Sequence, residues 1–403
     1  MSKTKIPRQS PESPCCAGGS AKESSQVEPI LWFQDMVPHA LDFATREKEK
    51  GKKIVGIMCE YTPRELIMAA NAIPVCLCGG SAEMIPPAEE YLPSNLCPLI
   101  KSTFGYSIQK ANPFLEMADL LVAETTCDGK KKMYELLADR HPMVVLELPQ
   151  KSDDPDAFQH WKKEIEKLKA ELENRFGTNI TEEGLKESIR MMNKERDLKR
   201  KLAALMKDEA PPLTGRELLD MKSLISCIPA DLEQLEKAQE VLPGRTLNPP
   251  AESRVRVLLT GVPLPHGAEK VMDIIESNGG LVVCQENCTG LKPLLEDIRE
   301  DTPNPLEALA EKYFHIPCSV MTTNETRLDN LRALIQEYKP QCVIELVWHA
   351  CITYDVESSL VRKMVEEEAG LSYFKIETDY SPSDSARITM RVQALFETVR
   401  GKR

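Results

Sequence analysis

One pattern occurs twice in this chain: strand, helix, strand, long loop, strand, helix, strand. Short apolar runs alternating with amphipathic segments commit a chain to parallel strands joined by crossover helices. In the first copy KKIVGIMC (residues 52–59) reads as a strand. TPRELIMAAN (62–71) reads as a helix, with Thr62 as its cap, Pro63 at its first position and Glu65 three residues after the cap. AIPVCLCGG (72–80) is the second strand. A loop rich in Pro and Glu leads to SNLCPLIKSTFGYSIQK, where Pro98 directly after Cys97 suits a first helical turn. LVAETTCDGKKKMYELL (121–137) is then a strand, a turn at Asp128 and Gly129, and a helix from Lys130, and PMVVLELP (142–149) is another strand. The second copy runs through RVRVLLTG, HGAEKVMDIIESNGG, LVVCQENCTG, QCVIELVWHAC, a helix over 357–368, LSYFKIETDYS and a closing helix over 387–399.

The segment between the copies differs in character. Trp161, Ile165, Leu168, Leu172 and Phe176 recur at steps of 4, 3, 4 and 4, the spacing of one helix face. Thr181 with Glu182 and Glu183, and Thr214 with Glu217, mark later helix starts. The expected organisation is a disordered tail over 1–28, an α/β domain over 29–150, a helical insert over 151–250 and a second α/β domain over 251–403. The insert's charges read as a solvated face, with a docking surface as the alternative. Residues 29–50 read as a helix leading into the first domain. In such folds ligands bind beyond the carboxyl ends of the strands. Two domains facing each other would form a cleft lined by both sets of ends.

Thirteen cysteines is a high count for a chain with this composition. No apolar run reaches the roughly 18 residues of a membrane span and the amino end lacks a signal-peptide core, so a cytoplasmic, reducing location is expected. The net charge of −12 argues against a nucleic-acid binder. An odd cysteine count and wide spacing disfavour a disulfide framework, leaving metal binding as the leading explanation for some of them. Cys76, Cys78, Cys284 and Cys342 fall inside expected strands and Cys227 near a helix end in the insert. These read as small buried hydrophobes. Cys15 and Cys16 lie in the tail, where a passive pair is the simpler reading. Six others, Cys59, Cys97, Cys127, Cys288, Cys318 and Cys351, sit just past a strand or at the head of the next element. Cys127 and Cys351 hold equivalent places in the two copies. Spacing alone leaves a shared cluster and scattered structural cysteines both open. There is no C-x2-C-x2-C run, no paired C-x2-C hooks, and no H-x3–5-H pair among the six histidines. A Cys–His nucleophile, with His349 two residues before Cys351, is weaker still. Neither G-x-x-x-x-G-K-S/T nor G-x-G-x-x-G occurs, so any role for ATP would fall to a partner.

TTCDGKKKMYELL, YTPRELIMAA, NLCPLIKS, ENCTG, YFHIPC and IETDYSPSDSARITMRVQALFE resemble the D-component of 2-hydroxyacyl-CoA dehydratases and the related benzoyl-CoA reductase subunits. The resemblance covers about residues 30–150 and 250–403. It implies two Rossmann-like domains with parallel sheets, an iron–sulfur cluster in the interdomain cleft, and an ATP-hydrolysing 4Fe–4S reductase (activator) as electron donor. Carried over by position, Cys97, Cys127 and Cys351 match the three thiolates of the family's 4Fe–4S cubane. Within the family the sequence is most similar to the homodimeric double-cubane proteins, whose 8Fe–9S cluster needs six thiolates. Cys59, Cys288 and Cys318 complete that number by count and position. The implied function is ATP-dependent, partner-driven reduction of small molecules. The alternative is a subunit of a 2-hydroxyacyl-CoA dehydratase or benzoyl-CoA reductase with one 4Fe–4S cluster. Lys130–Lys132 cannot all face such a cluster, because consecutive helical residues diverge. Glu60, Glu286, His349 and Glu377 lie near expected strand ends, where they could donate protons or serve as structural hydrogen-bond partners.

Overall fold

The computed structural model describes residues 28–401, so Cys15, Cys16 and nearly all of the expected tail lie outside the described residues. Eight parallel strands form two four-stranded sheets. The first contains β1 (Lys53–Ile57), β2 (Ala72–Cys76), β3 (Leu120–Glu124) and β4 (Met143–Leu146), in the order β2-β1-β3-β4. The second contains β5 (Val255–Gly261), β6 (Gly280–Glu286), β7 (Cys342–Trp348) and β8 (Ser372–Thr378), in the order β6-β5-β7-β8. The repeat read from the sequence is therefore a repeat of topology. Each sheet reverses its winding at its first strand, which opens a crevice between the carboxyl ends of β1 and β3, and another between those of β5 and β7. The near-continuous apolar strands are buried on both faces, as parallel strands must be.

Local details depart from the sequence reading where tertiary contacts outcompete local ones. Asp35 interrupts the leading helix, giving Glu28–Gln34 and Met36–Glu49, with Pro38 in the first turn of the second, where its missing N–H costs nothing. The helix after β1 is Arg64–Ala69 with Pro63 as its cap, because the Thr62 hydroxyl donates instead to the buried Glu124 carboxylate of β3. Asp128 and Gly129 are not a separate turn but the first residues of the helix Asp128–Ala138, capped by Cys127. Strand β2 stops at Cys76, leaving Cys78 outside it and exposed. Its neighbour β1 ends at Ile57, so no ladder partner lies beyond, and Gly79 and Gly80 then press against the Ser102–Thr103 and His266 backbones, where a Cβ would clash.

Between β4 and β5 lie the helices Pro155–Phe176, Glu182–Ala204, Gly215–Asp220 and Pro229–Val241, the third started by the expected Thr214/Glu217 capping box. Trp161, Ile165, Leu168 and Leu172 are fully buried, and the Trp161 indole donates to the Ala310 carbonyl at 3.2 Å. The Arg196 guanidinium pairs with the buried Glu65 carboxylate, while Asn193 donates to the Ile298 carbonyl at 2.8 Å. These helices thus bridge segments of both copies. No helix among the described residues is long and apolar enough to cross a membrane. Trp161→Ala should destabilise the protein by about 3–5 kcal/mol, measured as a lower urea midpoint with an unchanged denaturant slope.

Candidate functional site

The carboxyl ends of both sheets face a cavity of about 1050 Å³. Cys59, Cys97, Cys127, Cys288, Cys318 and Cys351 all line it. Cys97, Cys127 and Cys351 share a local role: each is the N-cap of a helix, respectively Pro98–Gln109, Asp128–Ala138 and Ile352–Lys363. A helix amino terminus presents unpaired N–H groups and positive potential, which favour a thiolate. The Cys351 thiol hydrogen-bonds Cys97, and with the Leu99 and Ile100 N–H groups it holds Cys97 below the usual thiol range despite burial. The same pairing drives Cys351 well above that range, with burial adding to it. Cys127 neighbours both, and Cys318 as well, and is raised by burial, opposed by the Lys130 N–H and ammonium.

Cys59, Cys288 and Cys318 form a second neighbourhood. Burial pushes Cys59 far up, with Cys288 and Cys318 adding mutual repulsion. Cys288 is pushed up to about 12, chiefly by burial, against the pull of the Lys292 ammonium. The three come from separate segments: the turn after β1, the turn after β6, and the loop after the helix Pro305–Phe314. The Tyr61 hydroxyl ties the first to the third by donating to the Ile316 carbonyl at 2.8 Å.

A buried polar network aligns the second-copy segments. Arg327, on the helix Glu325–Tyr338, is fully buried and pairs with Glu286, Glu345 and Glu357 while donating to Thr260 at 2.9 Å. Glu286 precedes Cys288, and Glu357 belongs to the Cys351 helix. Asn324 donates to Glu357 at 2.6 Å and to the Cys318 carbonyl at 3.1 Å. The Lys292 ammonium lies 3.2 Å from Glu286 and donates to the Tyr354 hydroxyl at 2.8 Å. Three cysteine-bearing segments therefore share one set of charges.

Lys130 turns inward to the cavity and donates to the Met58 carbonyl at 2.7 Å, while Lys131 and Lys132 are exposed and pair with Asp128 and Glu135. Glu60 lines the cavity and binds Arg64 at 2.8 Å. Glu286 is committed to its ion pairs, and His349 and Glu377 line a different groove beside β8. Several cavity features were not apparent in the sequence. Cys76 and Cys78, expected as buried strand residues, also line the cavity, and the Arg64 guanidinium approaches the Cys76 sulfur at 3.3 Å. Lys222 lines it too, pushed down to about 8 by burial. Glu124, pushed up to about 8 by burial, sits on β3 below Cys127. Cys284 and Cys342 are buried strand residues as expected, and Cys227 is buried with its N–H and thiol directed at Glu195. Among the described residues, no group of three or more His, Cys, Asp or Glu side chains is arranged to hold a metal ion.

A profile described as "2-hydroxyglutaryl-CoA dehydratase, D-component" matches residues 59–399. The chain is similar to the putative dehydratase subunit YjiM of Escherichia coli, at 39% identity over 87% of this chain and 92% of that protein. It is 22% identical to the (R)-phenyllactyl-CoA dehydratase beta subunit of Clostridium sporogenes, over 91% of this chain and 97% of that subunit. One benzoyl-CoA reductase polypeptide of Thauera aromatica is 26% identical over 39% of this chain and 42% of its own.

The Lys130 ammonium lowers the cost of ionising Cys59, Cys127 and Cys288. In the metal-free protein, Lys130→Met should move the pH midpoint for iodoacetamide alkylation of Cys127 upward, on the order of one pH unit. The direction follows because losing a nearby cation raises a thiol's pKa. Mass spectrometry of the labelled peptides reads it out.

Proposed function

The chain belongs to the 2-hydroxyglutaryl-CoA dehydratase D-component family, and we propose that it is an iron–sulfur reductase holding a double-cubane 8Fe–9S cluster. In this reading Cys97, Cys127 and Cys351 hold one cubane and Cys59, Cys288 and Cys318 the other. An ATP-hydrolysing 4Fe–4S reductase supplies low-potential electrons, and the substrates are small molecules. The observation that carries the reading is the convergence of all six cysteines on one cavity, as two groups of three that adjoin through Cys127 and Cys318. Soft sulfur donors suit iron–sulfur chemistry or zinc better than a hard cation. A set of donors spread around a cavity also suits a polynuclear group better than a lone ion. When bound, the cluster would supply one-electron reduction at low potential.

The chain's own residues do the rest. The three capped helices and Lys130 offset the negative charge of the group. Burial of the thiols excludes water, which favours a low and protected potential. Lys222, pushed down to about 8 by burial, lines the same cavity, where it can hold and release a proton toward a substrate.

The relatives named as dehydratase and reductase subunits favour a second reading, a dehydratase or benzoyl-CoA reductase subunit with one 4Fe–4S cluster on Cys97, Cys127 and Cys351. There an unlike subunit would be required. Anaerobically purified protein should contain about eight irons and nine sulfides per chain on the first reading, and about four irons on the second. Anomalous iron scattering from oxygen-free crystals gives the same answer by position. Cys127→Ala should lose iron and sulfide without a matching loss of fold by circular dichroism; a variant with full cluster content would remove Cys127 from the ligand set.

A further inference from the structure

The most exposed large hydrophobic residues are not scattered. Val356, Ile352 and Met390, at 68%, 67% and 64% exposure, lie with Leu360 at 53% on the two helices that flank β8. Ile352, Val356 and Leu360 recur at i, i+4 and i+8 on the Cys351 helix, giving one apolar stripe. Met390 projects from the closing helix Ser385–Gly401. Between them β8 is the terminal strand of its sheet. The corresponding strand β4 has the helix Pro155–Phe176 packed on it, with the Glu164 carboxylate accepting the Glu147 N–H at 3.1 Å. Strand β8 likewise has the helix Ser385–Gly401 packed on it, and beside it lies a groove lined by Tyr373, Lys375, Glu377, Arg362, Arg387 and Arg391 among others.

We infer that this face is a two-fold interface in which β8 of one chain pairs antiparallel with β8 of a second copy. The order of charges selects a copy as the occupant. If the strands meet about Ile376, Lys375 of each chain stands opposite Glu377 of the other, an arrangement that the two-fold axis makes twice. Glu377 has no ion-pair partner among the described residues, whereas Lys375 reaches Asp355 at 2.5 Å. Of the remaining charges on the face, Arg362 pairs with Glu366 and Arg387 with Asp384, while Arg391 keeps its charge and lies 4.5 Å from the Phe374 ring centroid. An axis perpendicular to the sheet keeps each face on its own side. The Val356–Leu360 stripe then meets its counterpart across one face, and Met390 meets its own across the other. A lysine alone on an edge strand is a common guard against unwanted pairing. Such a guard does not account for the apolar stripe beside it.

This interface rests on no part of the cluster assignment, and sedimentation reads mass, not iron. Full-length, anaerobically purified protein should sediment at twice 45.3 kDa at micromolar concentration. Val356→Glu with Leu360→Glu should raise the dimer dissociation constant by about 100-fold or more. Lys375→Glu should weaken the dimer, and Lys375→Glu combined with Glu377→Lys should restore it. A parent of 45.3 kDa at all concentrations, which would leave the face to an unlike partner, overturns the inference. So does a dimer that ignores the stripe variants or the charge reversal. Iron measured on the same samples separates the two proposals: a dimer without a cluster keeps this one and removes the other.

Discussion

Six cysteine sulfurs gathered on one cavity cannot all be thiolates unless positive potential meets them there. Burial drives Cys59, Cys127 and Cys288 upward, and each neighbour that ionises makes the next more costly. The fold answers with backbone more than with side chains. Three helices begin at three of the cysteines, and each amino terminus contributes about 0.3–1 kcal/mol toward a nearby anion, up to ~2 kcal/mol when partly buried. Cys97, which also receives a hydrogen bond from Cys351, is the one held below the usual thiol range. Cys59, Cys127, Cys288 and Cys351 are instead raised, so a nearby positive charge would favour their ionisation.

Holding six sulfurs from six segments also requires that those segments be rigid relative to one another. In the second copy this rests on Arg327. Its three carboxylate partners belong to β6, β7 and the Cys351 helix, and Asn324 extends the set to the Cys318 loop. Breaking a buried charge pair costs about 3–5 kcal/mol because the remaining charge stays unsolvated. Any shift of one cysteine segment against another would have to break part of this set. The first copy uses fewer charges: the Lys130 ammonium on the Met58 carbonyl and the Tyr61 hydroxyl on the Ile316 carbonyl join the turn after β1 to its neighbours.

The parts of this arrangement written in local pattern were legible in the sequence. Strand ends and helix starts are set by apolar runs, prolines and caps, so Cys97 and Cys127 could be placed at the heads of helices, whereas at Cys351 the pattern marks only a strand end, with the helix expected from 357 and not from Ile352, where it begins. Cys318 and Cys288 could be placed near turns, but nothing local says that those turns face Cys59. Arg327 was invisible for a clearer reason. On the segment ETRLDNLRALIQEY an arginine reads as part of a solvated face, and only the three acids brought by distant strands and a helix make burial tolerable. Cys78 was misplaced because a strand's length depends on its neighbour's, and β1 ends too early to carry β2 to Gly80. Thr62 and Glu65 form a fair capping pattern that the fold does not use, since Glu124 and Arg196 offer buried partners.

The duplicated topology also explains why the candidate ligands fall into two threes that each cross between the copies. Cys127 and Cys351 each lie three residues past the third strand of their sheet, and Cys97 and Cys318 each lie in the long connection before it. Cys288 lies two residues past β6, and its counterpart two residues past β2 is Cys78. A strictly symmetric site would use Cys78. Instead Cys78 is exposed, and Cys59, whose counterpart past β5 is Pro263, takes the place beside Cys288 and Cys318. The first neighbourhood therefore takes two sulfurs from the first copy and one from the second, and the other takes one and two. Neither three can assemble on a single copy, so each depends on how the two sheets are held against each other.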